Sequence, residues 1–205
     1  MHTALLLIDI QNDFMPTGSL PVAGGDQIVP VANRLAQRFD VVVASQDWHP
    51  AGHSSFASSH PDRQAFDVTT VDGLEQRLWP DHCVQGSLGA AFHAALDLQP
   101  VTHVIRKGMD ARIDSYSAFF DNGHRRSTGL DGLLRALDID SVVICGLALD
   151  VCVQFTALDA AQAGFATVVL TDACRGVDAQ PGDIDRALTT LQSAGVQLST
   201  SDALL

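Results

Sequence analysis

A chain of 205 residues with 46% hydrophobic content is long enough to bury one full core, and nothing in it reads as a linker, so a single domain over 1–205 is expected. The formal net charge of −12 and a pI near 4.7 exclude the basic surface that nucleic acid or an anionic membrane would need. A neutral or cationic small molecule suits such a chain better.

The opening residues, MHTALLLIDIQNDF, lack the pattern of a signal peptide because Asp9 interrupts a short apolar run, and no later stretch is long enough to span a bilayer. Ala4 to Gln11 reads as a fully buried first strand that presents Asp9 near its carboxyl end. An acid there is costly unless it is paired or working, and a hydrogen-bonding Asp at a strand end explains it as well as a catalytic one. The Gly- and Pro-rich NDFMPTGSLPVAGG is an irregular loop on which Phe14 and Leu20 either wall a pocket or fill core. Asp26 is expected to cap a helix reaching about Phe39, with Ile28, Val31, Leu35 and Ala36 on its packing face.

Val41 to Ser45 is the second buried strand, opening directly into QDWHPAGHSSF. There Asp47 and His49 stand at i and i+2 on extended backbone, so they project to one side, as ligands of one divalent metal must. His82, after the Trp-Pro turn of WPDHC, offers a third donor, while His60 on a polar stretch is expected to be solvated. Asp47, His49 and His82 would make a mixed oxygen and nitrogen site with positions left for water or substrate. On spacing alone, ordinary surface or core histidines explain them equally well.

Ala57 to Gln76 is mixed and polar, a loop with a short hairpin or helix covering the site. Val101 to Gly108 carries a third strand ending on Lys107. Solvation is the commoner fate of such a lysine, but an acid, a cation and a thiol coincide at three strand ends. DARIDSYSAFFDNG is a loop holding Tyr116, Phe119 and Phe120, and Gly129 to Leu137 is a short amphipathic helix.

From Val142 to Leu147 the chain is a buried strand, and from Val153 apolar residues recur at helical spacing through Phe155, Leu158, Ala161 and Phe165. Cys152 stands on the turn between them, beyond the carboxyl end of a strand, where parallel sheets bind ligands. The helix N-terminus there favours a thiolate and a developing oxyanion. Cys152 is thus a candidate nucleophile; its alternative is a buried inert cysteine, the preferred reading for Cys145 and Cys174. ATVVLTDAC is a fifth buried strand, Asp183 to Ala194 a further helix and Gln197 to Ser201 a short edge strand. This alternation predicts a three-layer α/β sandwich, helices on both sides of a mainly parallel sheet of about six strands. Four cysteines without paired spacing fit a reducing compartment, with the cytoplasm as default. No heptad or repeat sets an oligomeric state, so a homo-oligomer stays open.

The pieces LLLIDIQNDF, SQDWHPAGHSSF, LWPDHCVQGSLGAAFH, IRKGMDARIDSYSAFFDN, GLALDVCVQFTALDA and TDACRGV follow one another from the first strand nearly to the end. In these the chain resembles the nicotinamidases, within the isochorismatase-like cysteine hydrolases and their Rossmann-like sheet. The resemblance implies a catalytic trio of Asp9, Lys107 and Cys152, and a divalent metal, zinc before iron or manganese, on Asp47, His49 and His82. It implies a cis peptide between Leu147 and Ala148 that turns the Ala148 N–H toward an oxyanion. Phe14, Leu20, Trp79 and Tyr116 match positions around the substrate ring, and His53 matches a position near the metal. The implied reaction is hydrolysis of nicotinamide to nicotinic acid and ammonia through a thioester, with pyrazinamide as a further substrate, in NAD salvage. Leu149 stands where threonine is usual, and Val151 where an aromatic residue or histidine is common, which is expected to alter the pocket and its substrate range. Relatives that hydrolyse carbamoyl or ureido amides keep the trio but lack the metal set, and isochorismatases do not use the cysteine. A non-catalytic ligand-binding protein on this fold is the remaining alternative, disfavoured because no member of the trio or the metal set is missing.

Overall fold

In chain order the elements are β1 (Thr3–Ile8), α1 (Val29–Ala36), β2 (Val41–Asp47), β3 (Val68–Val71), β4 (Leu74–Arg77), β5 (His103–Lys107), α2 (Leu130–Ala136), β6 (Ser141–Leu147), α3 (Gln154–Gln162), β7 (Ala166–Arg175), α4 (Asp183–Ser193) and β8 (Gln197–Ser199). They come from a computed structural model that describes residues His2–Leu205. Six strands form one sheet in the order β5-β2-β1-β6-β7-β8, paired in parallel throughout. Helices flank it, giving the three-layer α/β architecture expected. β1 and β6 read as continuous apolar runs because they lie in the middle of the sheet with both faces covered, and every residue of β6 is buried. Each fully buried Leu of β1 contributes about 1.5–3 kcal/mol of burial free energy.

The chain steps outward from β1 to β2 and β5, then returns to the other side of β1 with β6. Strand order therefore reverses between β1 and β6, and the crevice beyond their carboxyl ends is where such sheets bind ligands. Ile8 is in register with Gly146, and Asp47 with Lys107, so the carboxyl ends of four strands open on the same side of the sheet. Gly146 has φ +130, and a Cβ on it would come within 2.1 Å of the Ile8 carbonyl oxygen; only glycine allows β1 and β6 to close there.

Several boundaries differ from the sequence expectation. The helix expected from Asp26 begins at Val29 after a 3₁₀ turn, Gly25–Ile28, and Asp26 makes no capping hydrogen bond. Pro30 in the first turn of α1 supplies the helix start instead. β2 runs to Asp47 and so carries that carboxylate into the sheet. The helix after Cys152 opens with one wide π-helical turn, Leu149–Val153, before α3. That turn shifts the helical phase, and Phe155, expected in the packed face, is 41% exposed. His60 is half-buried rather than solvated, its Nε2 donating to the Ser54 carbonyl at 2.7 Å. β3 and β4 pair as a separate antiparallel hairpin, the form the polar 57–76 stretch takes after a 3₁₀ turn. Among the described residues no helix is long and apolar enough to cross a membrane.

Candidate active site

Asp9 follows directly on β1, with φ +47, and is fully buried. Ser45 on β2 holds it twice: the Asp9 N–H donates to Ser45 Oγ at 3.2 Å, and Ser45 Oγ donates to Asp9 Oδ1 at 2.6 Å. Lys107, the last residue of β5, buries its ammonium among Asp47 Oδ1 at 3.1 Å, the Ser115 carbonyl at 2.9 Å and Cys152 Sγ at 3.4 Å. Those three acceptors use its three hydrogens. Asp9 Oδ2 is a fourth acceptor facing the same ammonium, 3.0 Å away. The Asp9 carboxylate and the Lys107 ammonium both act on the Cys152 thiol.

Burial pushes the Cys152 thiol well above its ordinary pKa; Asp9 and Asp47 add to this and Lys107 opposes it. Burial thus opposes the thiolate-favouring effect expected of the helix N-terminus. Burial also raises Asp9, with Asp47 adding and Lys107 opposing. On Lys107 burial favours the neutral amine, but Asp47 and Asp9 outweigh it and hold the pKa well above the usual value. The Leu147–Ala148 peptide is cis, and the Ala148 N–H has no acceptor among the described residues.

Asp47 Oδ2 stands 3.0 Å from His49 Nε2 and 3.4 Å from His82 Nε2. One donor atom from each of the three lies within 4.8 Å of the others, and all three residues are buried. His49 Nδ1 faces the Gly108 carbonyl at 3.0 Å, and His82 Nδ1 the Pro80 carbonyl at 2.8 Å. A carbonyl only accepts, so Nδ1 carries a proton in both, and Nε2 is the ring atom that faces Asp47 and that a cation would take. Burial opposes charge on His49, yet the Asp47 carboxylate lifts its pKa to about 9. A field that negative between two imidazoles fits a divalent cation. Gly108 has φ +65, and a Cβ there would fall 2.5 Å from His49 Cε1. Gln11 fixes Asp47 from behind, donating to its carbonyl at 2.8 Å and accepting from its N–H at 2.8 Å.

The His53 ring packs tilted with its centroid 4.4 Å from that of His49, but its Nε2 donates to the Asp110 carbonyl at 2.9 Å and its Nδ1 accepts from the Ser55 N–H at 3.1 Å. Both ring nitrogens are committed, so it buttresses His49. The four expected ring-wall residues, Phe14, Leu20, Trp79 and Tyr116, line one cavity together with Asp47, His82, Ala148 and Cys152. Asp9, His49, Lys107 and Leu147 sit behind that lining. Of the two departures noted in the sequence, Val151 lines the cavity and Leu149 does not.

The sequence reading missed Asp114, which is buried, lines the cavity and brings Oδ1 to 4.0 Å from His49 Nε2. It also missed Ser45, Gln11 and Gln76. Polar side chains within apolar strands were a signal for the first two; Asp114 and Gln76 lie in polar stretches where nothing marked them.

The isochorismatase domain family matches residues 3–203. The chain belongs to that family. A nicotinamidase of Escherichia coli K12 is 50% identical over 201 residues, covering 96% of this chain and 94% of the relative. The structure of a nicotinamidase and pyrazinamidase from Acinetobacter baumannii superposes with a TM-score of 0.97 at 46% identity, covering 100% of this chain and 98% of the other. The pyrazinamidase of Pyrococcus horikoshii, solved in complex with zinc, gives a TM-score of 0.80 at 35% identity, covering 98% of this chain and 99% of that one.

Proposed function

We propose that this isochorismatase-family protein is a cytoplasmic nicotinamidase, a single domain over 1–205 that hydrolyses nicotinamide to nicotinic acid and ammonia for NAD salvage and also accepts pyrazinamide. The observation that carries it is one aromatic-walled cavity with Cys152 on its lining, Lys107 and Asp9 behind that thiol, and the Asp47 and His82 donors on the same lining. An amide carbon and a ring nitrogen would each meet the chemistry that suits it.

Asp9 Oδ2 takes the Cys152 proton, and the Lys107 ammonium, facing both, stabilises the thiolate as it forms. Sulfur attacks the carboxamide carbon, and the oxygen that becomes negative is held by the N–H groups of Ala148 and Cys152. Asp9 returns the proton to nitrogen, the C–N bond breaks, ammonia leaves and an acyl thioester remains on Cys152. Asp9 then deprotonates a water that attacks the thioester carbon; the C–S bond breaks, Cys152 recovers its proton and nicotinic acid departs. Phe14, Trp79 and Tyr116 hold the ring and exclude water. When bound on Asp47, His49 and His82, a divalent ion, zinc before iron or manganese, would supply a Lewis-acid partner for the ring nitrogen.

Ammonia release from nicotinamide and from a ureido amide, with and without prior chelation, tests the assignment. Release from nicotinamide that chelation abolishes is expected. Turnover of the ureido amide alone by metal-replete protein would place the chain with the carbamoyl and ureido amidases instead.

A further inference from the structure

The walls of the cavity that holds Cys152 are buried except where Tyr116, Val151 and Val177 lie half-buried. Those three, with Trp79, also line an outer groove whose further sides include Val68, Arg77, Phe155 and Ala179. They form a rim between cavity and solvent, and each is held in a different way. Gln76 Nε2 donates to Tyr116 Oη at 2.9 Å and to Asp114 Oδ2 at 3.2 Å, and Trp79 Nε1 donates to the same hydroxyl at 3.2 Å. Val151 belongs to the π-helical turn, where its N–H and that of Val153 both reach the Ala148 carbonyl at 3.1 Å. Val177 lies beyond β7 on an irregular segment, and its anchor is Asp150.

The Asp150 carboxylate accepts the Val177 N–H on Oδ1 at 2.9 Å and the Asp178 N–H on Oδ2 at 2.7 Å. An amide in its place could offer only one acceptor atom to those two donors. Gly176 completes the fit: a Cβ there would fall 2.9 Å from Asp150 Oδ1 and 2.5 Å from Ile184 Cγ1, so a side chain would crowd the segment off its anchor. Asp150 stands two residues before Cys152, yet the reaction derived above gives it no part. One carboxylate thus joins the segment bearing Val177 to the turn bearing Val151 and Cys152.

We propose that Asp150 is a positioning residue that acts through Val177, holding that side chain at the rim so that the substrate ring is enclosed once bound. The inference rests on the nicotinamidase reading and adds a residue to its binding step. Without Asp150 the turn keeps its own bonds to Ala148, so the sulfur stays in place and the loss falls on binding rather than on chemistry.

The test is kcat and KM for nicotinamide in metal-replete wild type, Asp150→Asn, Val177→Ala and the double variant. Val177→Ala should raise KM about tenfold, the worth of an apolar group missing beside a bound ring. Asp150→Asn should raise it about three- to tenfold, the worth of one partly exposed hydrogen bond, with kcat within about twofold of wild type. The double variant should stay at about tenfold, because Asp150 has no wall left to hold once Val177 is cut back. A product of the two single effects, roughly 30- to 100-fold, or a fall in kcat at unchanged KM, would overturn the proposal and leave Asp150 a support of the turn. Gly176→Ala crowds the same carboxylate from the other side and serves if Asp150→Asn does not fold. It should raise KM severalfold, and an unchanged KM there overturns the proposal equally. Failure of wild type to hydrolyse nicotinamide would remove the nicotinamidase reading and this inference together; turnover with multiplying effects removes the inference alone.

Discussion

At the sulfur side of the cavity each working group hangs from the central sheet or from a turn that closes one of its strands: Asp9 after β1, Lys107 ending β5, Cys152 after β6. At the opposite side only Asp47 belongs to a strand, and His49, His82, Asp114 and Tyr116 sit on irregular segments outside the sheet. The first group is positioned by backbone register, so its geometry is part of the fold's own stability. The second is positioned by hydrogen bonds to its side chains, from the Gly108 and Pro80 carbonyls and from Gln76, with Gln11 holding the Asp47 backbone, and is open to tuning without disturbing the sheet. In the proposed reaction, chemistry is thus built on the rigid part, and substrate choice on the adaptable part.

Substitutions at the two ends should separate accordingly. Asp9→Asn removes the proton acceptor and should lower kcat by about 10²–10⁴-fold. Metal content, measured on the same preparation, should stay at the wild-type level, and loss of metal in that variant would show that the two ends are not independent. Lys107→Met leaves Asp9 and Asp47 facing each other without the ammonium between them; a stability loss of about 3–5 kcal/mol is expected in denaturant titration. An unchanged midpoint would mean the buried pair does not hold the sheet ends together. Gly108→Ala drives a Cβ into His49 and should weaken metal binding by about 10–100-fold in a chelator competition assay. Wild-type affinity there would refute the role assigned to the Gly108 carbonyl. The smallest effects belong to the two residues that depart from the family pattern. Val151→Tyr narrows the cavity and should raise KM for nicotinamide severalfold. Leu149→Thr, buried and off the cavity, should cost about 1–3 kcal/mol of stability without moving KM. A KM change in Leu149→Thr equal to that in Val151→Tyr would contradict the cavity lining.

The same contrast decides how much could be read from the chain. Strands with apolar runs announced themselves, and with them Asp9, Lys107 and Cys152, because a polar side chain at the end of such a run is conspicuous. Asp47 and His49 were legible from their i, i+2 spacing, and His82 from its turn. The ring walls and the cis peptide came from family resemblance, since no periodicity marks Phe14, Trp79 or Tyr116 as lining one cavity. Asp114 and Gln76 were invisible: each sits in a polar segment, and what makes them matter is a long-range contact between the 74–77 strand and the 110–116 loop. Burial depth, which raises the pKa of the Cys152 thiol, was likewise out of reach, because it is a property of the assembled fold.

Everything proposed for the reaction passes through one sulfur atom, so the most direct measurement is ammonia release from nicotinamide by metal-replete wild type and Cys152→Ala, side by side. Release by wild type with a loss of about 10⁴-fold or more in the variant is predicted. Comparable release by both would contradict nucleophilic attack by Cys152.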